Sequence, residues 1–202
     1  KAGTGKTSIF DLLLKLNRQH VGNVFVDEYD IKEIPDSEYF SKISLLRQNA
    51  SLFTMSIKDN FALVDDDPGK MFEICNKLGI HNEIVKLPKA YETIISENDS
   101  IPAQLKQMIA AARTILKGSK IMLFDDAFIG LDNEKQNRIL DLLLELKKDH
   151  TIVMITHDRN ILKSAENIIV IDNKHVVESG TLNELIERKG KYYEIFEKKH
   201  DE

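Results

Sequence analysis

Lys1-Ala2-Gly3-Thr4-Gly5-Lys6-Thr7-Ser8 decides how the rest of the chain is read. Gly5-Lys6-Thr7 closes the pattern G-x-x-x-x-G-K-[ST]. In that pattern backbone N–H groups of a glycine-rich turn cradle phosphates, the lysine reaches the terminal phosphates and the hydroxyl takes a place on Mg²⁺. The loop must open a helix, because the unpaired N–H groups and dipole of a helix N-terminus favour anions. Ser8–Leu16 supplies that helix, with Ile9, Leu12, Leu13 and Leu16 on one side. A strand-like Asn23-Val24-Phe25-Val26 follows the turn at Val21-Gly22. The pattern's opening glycine belongs one position before Lys1, and the strand that feeds the loop belongs before that. The expectation is therefore a segment of a longer polypeptide. Taken alone, the stretch is also compatible with a chance Gly/Lys/Thr turn ahead of a helix.

At 202 residues and 42% hydrophobic, the chain can bury a core of one or two domains. A net charge of −5 argues against a nucleic-acid partner, which calls for a basic face. Cys75 is the single cysteine, so no intrachain disulfide can form, and it reads as a semi-buried residue of Met71–Leu78. No apolar run approaches the ~18 residues that a membrane-crossing helix needs.

Outward from the first strand, Asp27–Pro35 reads as polar turn and Asp36–Lys42 as a short helix. Ile43–Arg47 reads as a strand ending at Gln48. Gly69–Leu78 and His81–Lys86 are helix-like, Leu87–Ser100 reads as loop, and Ala103–Lys117 is a helix stopped by Gly118. Lys120–Phe124 is an apolar strand running into Asp125-Asp126. Asn133–Lys148 is a helix with a leucine face, and Thr151–Ile155 is a strand ending at Thr156-His157-Asp158. Ile168–Ile171 and His175–Glu178 flank Asp172-Asn173 as a hairpin, before helices at Leu182–Lys189 and Lys191–Lys199. Strands alternating with helices predict an α/β fold with a largely parallel core sheet. Residues 1–54 and 118–202 form that core in this reading, and 55–117 form an inserted helical subdomain.

An Asp at the C-terminal tip of a parallel strand lies where ligands collect in open α/β sheets, and there it can hold Mg²⁺. Ile121-Met122-Leu123-Phe124-Asp125 has that form.

At this point the chain resembles the nucleotide-binding domain of ATP-binding-cassette exporters, a P-loop NTPase fold, over nearly its whole length. Gln48 fits the Q-loop position. The run Gln48–Asn60 is similar to the exporter pattern Q-x-P-x-L-F-x-x-[ST]-I-x-[ED]-N, with Ala50 where proline is common. Leu87–Thr93 followed by Glu97, Leu131-Asp132, Thr156-His157 and Gly180-Thr181 followed by Glu184-Leu185 match further family elements in order. The resemblance implies ATP and Mg²⁺ as cofactors. It implies nucleotide binding by Gly3, Thr4, Gly5, Lys6, Thr7, Ser8 and Gln48. It further implies Mg²⁺ held by Thr7, Gln48 and Asp125, and water positioned by Asp126, His157 and Gln48. Asp132, Pro102, Ala103 and Gln104 would face a second nucleotide-binding domain. A transmembrane domain would lie upstream, with this domain at the cytoplasmic face of the membrane and the N-terminal β subdomain and adenine-stacking aromatic before Lys1.

Three departures qualify that resemblance. Asp126 stands where efficient family members carry Glu, so its carboxylate falls short by a C–C bond. A misplaced base forfeits much of the ~10²–10⁴-fold such a group supplies. Ile101-Pro102-Ala103-Gln104-Leu105 aligns with L-S-G-G-Q, and here Pro removes an N–H while Ala and Gln add Cβ atoms where bare backbone is wanted. Ile129-Gly130 replaces Ser-Ala before Leu131-Asp132. The expected function is an ATP-binding, weakly hydrolysing domain that couples dimerisation to export. A soluble cassette protein acting as a nucleotide-gated binding module is the alternative, set apart by whether apolar stretches of ~20 residues precede Lys1.

Overall fold

The computed structural model describes residues 5–49, 51–97 and 99–197. In chain order the elements begin with α1 (Lys6–Leu13), β1 (Phe25–Val26), β2 (Tyr29–Asp30), α2 (Asp36–Lys42) and β3 (Ile43–Arg47). Then come α3 (Ile57–Ala62), α4 (Pro68–Lys77), α5 (His81–Val85), α6 (Ala103–Leu116), β4 (Ile121–Asp125), α7 (Asn133–Leu146) and β5 (Thr151–Ile155). The chain ends with α8 (Arg159–Lys163), β6 (Ile168–Asp172), β7 (His175–Gly180), α9 (Leu182–Arg188) and α10 (Lys191–Phe196). Two units result, one of Phe40–Met154 and one of Lys1–Tyr39 with Ile155–Glu202.

In the unit Phe40–Met154 the sheet has strand order β3-β4-β5. β3 and β4 run parallel from Ile43 opposite Ile121 to Arg47 opposite Asp125. Met122, Leu123 and Phe124 are buried on both faces of β4, as the unbroken apolar run of a covered parallel strand requires. α6 packs on β3, α3 and α4, burying Met108, Ile109 and Ala110–Ala112 completely. Its alanines let the neighbouring backbones approach and carry high helix propensity. Gly118 stops α6 in the left-handed region at φ 64, donating its N–H to the Ile115 carbonyl. Within the segment read as loop, a single 3-10 turn forms at Ala90–Glu92.

α3 begins inside Gln48–Asn60, and its start is set by Ser56, whose hydroxyl accepts the Asp59 N–H at 3.0 Å. Asn60, fully buried, bonds the Phe53 N–H and the Phe53 and Ser56 carbonyls. Arg113 of α6 reaches the same segment, donating to Asn60 Oδ1 at 3.0 Å and the Ser51 carbonyl at 2.9 Å, with its guanidinium over the Phe53 ring. The run that follows Gln48 is thereby tied to α6.

In the other unit β6 and β7 form an antiparallel hairpin with a bulge at Val170/Ile171. Its turn is Asn173-Lys174, one residue later than the expected Asp172-Asn173. Both residues have positive φ, 45° and 67°, as the tightest hairpin turn demands. Leu162, Ile168, Val170, Leu185 and Tyr192 make this unit's apolar cluster. Thr181 and Glu184 form a reciprocal capping box at the start of α9. Glu178 of β7 accepts the N–H groups of Lys191 and Tyr192 at 2.9 and 2.8 Å, pinning α10 to the hairpin.

Gly190 is where this arrangement is most sensitive, because a Cβ there would lie 1.6 Å from Glu178 Oε1. Gly190→Ala is expected to expel the carboxylate and forfeit charge-assisted bonds worth about 1.5–3 kcal/mol. Amide exchange at Lys191 and Tyr192 then accelerates by about 10-fold or more. Unchanged exchange at those two amides would show that Glu178 does not hold α10.

Candidate functional site

Phosphate-loop residues begin the site in the unit of Lys1–Tyr39 and Ile155–Glu202. Gly3 and Thr4 lie outside the described residues. Gly5 is the N-cap of α1 at φ 94, a left-handed conformation open to glycine at no steric cost. Among the described residues no side chain caps α1, and its first turn carries no acid. Lys6 is half-buried while Thr7 and Ser8 are exposed. A helix N-terminus headed by Gly-Lys-Thr-Ser is suited to an anion, because the first-turn N–H groups, dipole and lysine charge act in one direction. Among the described residues a Cβ on Gly5 would meet only Lys174 of the hairpin, at 3.9 Å, and at φ 94 the constraint on this position is conformational. In this unit His157 follows β5 and is exposed. Asp158 beside it caps α8, accepting the Asn160 N–H at 2.7 Å.

The other unit carries Gln48, the Asp125-Asp126 pair, the Ile101–Leu105 segment and Asp132. Parallel register sets Arg47 opposite Asp125, so Gln48 and Asp126 leave neighbouring strand tips at one edge of the sheet. Asp125 ends β4 half-buried. Asp126 adopts φ 47, and its Oδ1 is buried with no hydrogen-bond partner among the described residues. A carboxylate oxygen with nothing to accept costs free energy unless something else satisfies it. Such an orphaned acceptor beside the strand tip fits a water or a cation-bound ligand.

Asp132 is the N-cap of α7 and accepts the Lys135 N–H at 2.9 Å. Its second oxygen meets Lys135 Nζ at 3.3 Å, and that ammonium also pairs with Glu83 of α5 at 3.3 Å. The backbone N–H of Lys135, offset in part by desolvation and helped by the Lys135 charge, holds the Asp132 carboxyl below the usual carboxylate range.

Pro102 and Ala103 are exposed and Gln104 is half-buried at the start of α6. The segment before them is staked by Asp99, which accepts from Ser96 N, Ile101 N and Lys106 Nζ at 2.7, 2.9 and 2.8 Å. Burial opposes its ionisation, but Lys106 and the two N–H groups prevail and keep the carboxyl below its ordinary range. Gln104 Nε2 donates to the Gly130 carbonyl at 2.9 Å. Gln107, one turn on, donates to the carbonyls of Ala127 and Ile129 at 2.5 and 3.1 Å. Gln136 of α7 donates to the Phe128 carbonyl at 3.2 Å.

Sequence reasoning missed Gln107 and Gln136 altogether. The only signal was Gln104 and Gln107 at i,i+3 on one face of an alanine-rich helix, which a solvated face also produces. Among the described residues no group of three or more His, Cys, Asp or Glu is placed to hold a metal. The donors read for Mg²⁺ are instead a hydroxyl, an amide oxygen and one carboxylate, all hard oxygen ligands of the kind that Mg²⁺ takes alongside phosphate. No helix among the described residues is long and apolar enough to cross a membrane.

A family model described as ABC transporter matches residues 1–129. The chain is 31% identical over 199 residues to an uncharacterized ABC transporter ATP-binding protein, y4gM, of Sinorhizobium fredii, covering 97% of this chain and 34% of that protein. It is 33% identical over 199 residues to the ABC multidrug transporter atrD of Emericella nidulans, covering 96% of this chain and 15% of that one. Among solved structures, a bacterial Atm1-family ABC exporter with ATP bound superposes with a TM-score of 0.92 at 26% identity, covering 100% of this chain and 36% of that one. The chain thus spans about a third or less of the length of the relatives it matches.

Proposed function

The chain belongs to the ABC transporter family as an ATP-binding domain of exporter type, and from that premise we propose that it binds ATP, hydrolyses it weakly and couples nucleotide-driven dimerisation to export. The observation that carries the nucleotide half of this reading is the start of α1: a left-handed Gly5, no side-chain cap, no acid, and Lys6-Thr7-Ser8 in the first turn. Gly3, Thr4, Gly5, Lys6, Thr7 and Ser8 bind the phosphates, with Lys6 supplying fixed charge. Thr7, Gln48 and Asp125 are the Mg²⁺ ligands in this reading. Held by these residues, Mg²⁺ would supply positive charge to offset the charge that develops on the phosphate. Asp126, His157 and Gln48 hold the attacking water, and the shortness of Asp126 makes turnover slow.

Asp132 and the Pro102-Ala103-Gln104 segment face a second nucleotide-binding domain. Residues 55–117 act as the helical subdomain that carries the Pro102-Ala103-Gln104 segment, and the transmembrane domain lies upstream, with this domain at the cytoplasmic face of the membrane. Pro102 offers no N–H and Gln104 is already engaged with Gly130, so this segment gives little to a neighbour's phosphate. The reading is tested by equilibrium binding of ATP with Mg²⁺ to the full polypeptide and to its Lys6→Ala variant. Equal affinity in the two would sink it.

A further inference from the structure

Between Asp126 and Asp132 lies a turn whose every carbonyl from Ala127 to Gly130 is taken by a glutamine side-chain amide. Gln107 takes Ala127 and Ile129, Gln136 takes Phe128, and Gln104 takes Gly130. Left-handed residues bracket the turn, Asp126 at φ 47 and Gly130 at φ 89. Its own backbone bonds are long, Ile129 N to Asp126 O at 3.4 Å and Leu131 N to Phe128 O at 3.3 Å, so the turn is held from outside more than from within. Two of the glutamines rise from the first turns of α6 and the third from α7. The alanine-rich body of α6 is fully buried, which fixes where Gln104 and Gln107 point.

We infer that Gln104, Gln107 and Gln136 are positioning residues: together they lock the Ala127–Gly130 turn and so set both the carboxylate of Asp126 and the cap formed by Asp132. Two departures noted in the sequence, Gln104 in the Ile101–Leu105 segment and Gly130 in the turn, are the two ends of one hydrogen bond. Gly130 reaches φ 89 without a Cβ penalty and turns its carbonyl to Gln104. The altered segment therefore acts in cis, on its own chain's acidic turn. Its consequence for turnover rests on the ATP-hydrolysis reading above; the lock itself does not.

Gln107→Met in the full polypeptide keeps the side-chain size and removes the donor, and Gln107→Lys returns a donor. In the Met variant, amide exchange at Ile129 and Leu131 is expected to rise about 5- to 150-fold, the range for loss of the two neutral hydrogen bonds that Gln107 donates. ATP turnover falls about 10-fold with KM for ATP unchanged, because Lys6 and Thr7 are untouched and only the water-positioning group is displaced. The Lys variant recovers both. Exchange in the Met variant equal to that of the parent overturns the lock, and faster exchange with an unchanged kcat overturns its positioning role. Absence of turnover in the parent and in Asp126→Glu alike defeats the hydrolysis reading instead, and exchange, which needs no ATP, still decides the lock.

Discussion

Replacing Asp126 by Glu raises ATP turnover of the full polypeptide by about tenfold or more. Two effects oppose each other at this position. Asp126 is a C–C bond shorter than Glu, and a displacement of about 1 Å in a reacting group is of the size that costs about 10²-fold. Against that, the residue sits at φ 47. Asp enters the left-handed region more readily than Glu, because its short side chain bonds locally, and the penalty for a longer side chain is about 1 kcal/mol, or a factor of about 5. Reach therefore wins, and the net gain stays near an order of magnitude. Asp126 Oδ1 is buried without a hydrogen-bond partner among the described residues, so moving the carboxylate outward by one C–C bond breaks no hydrogen bond at that oxygen. Steady-state phosphate release is the readout, with ATP binding measured alongside. A rate that does not move while ATP remains bound would remove carboxylate reach as the limit.

Lys6→Ala has the second large effect, and it falls on binding. A charge-assisted hydrogen bond to phosphate contributes about 1.5–3 kcal/mol, so the variant binds ATP about 10- to 150-fold more weakly. The helix N-terminus survives the change, since Gly5 and the uncapped first turn of α1 do not depend on the lysine side chain. Residual affinity from the N–H groups and dipole is expected, and it weakens as salt is raised. Titration of the parent and variant with ATP and Mg²⁺ at two ionic strengths separates the contributions. A variant as tight as the parent would place the nucleotide elsewhere.

Local pattern carried much of the secondary structure. Asp36–Lys42, Ile43–Arg47 and Thr151–Ile155 form over the expected residues, because helical spacing and unbroken apolar runs with turn residues on both sides leave few alternatives. The elements that escaped are those set by one cap or one turn. Six-residue α3 depends on Ser56, and five-residue α8 depends on Asp158; each is too short to show periodicity. β2 is two residues long and is defined only by its pairing with β1. The β6–β7 turn moved one residue because Lys174, a poor choice for positive φ, accepts it under the register of the strands.

For the site, the sequence by itself pointed to the residues proposed for phosphate, magnesium and water positioning: Gly5-Lys6-Thr7, Gln48, Asp125-Asp126 and His157, with Asp132 as a proposed contact to a second domain, stand in a family order that spacing along the chain makes readable. It also raised the expectation that Asp126 stands short where Glu is usual and that Ile101–Leu105 departs from a bare-backbone clamp. Tertiary structure alone decided that Gln104 and Gly130 are partners, that Gln107 and Gln136 complete the enclosure of the same turn, and that Asp126 is held left-handed at its end. The bonds from Gln104 and Gln107 join residues 20 to 26 positions apart. A glutamine's amide finds a particular carbonyl only once the buried face of its helix is seated, and that seating is a property of packing in three dimensions, to which no local pattern of residues points.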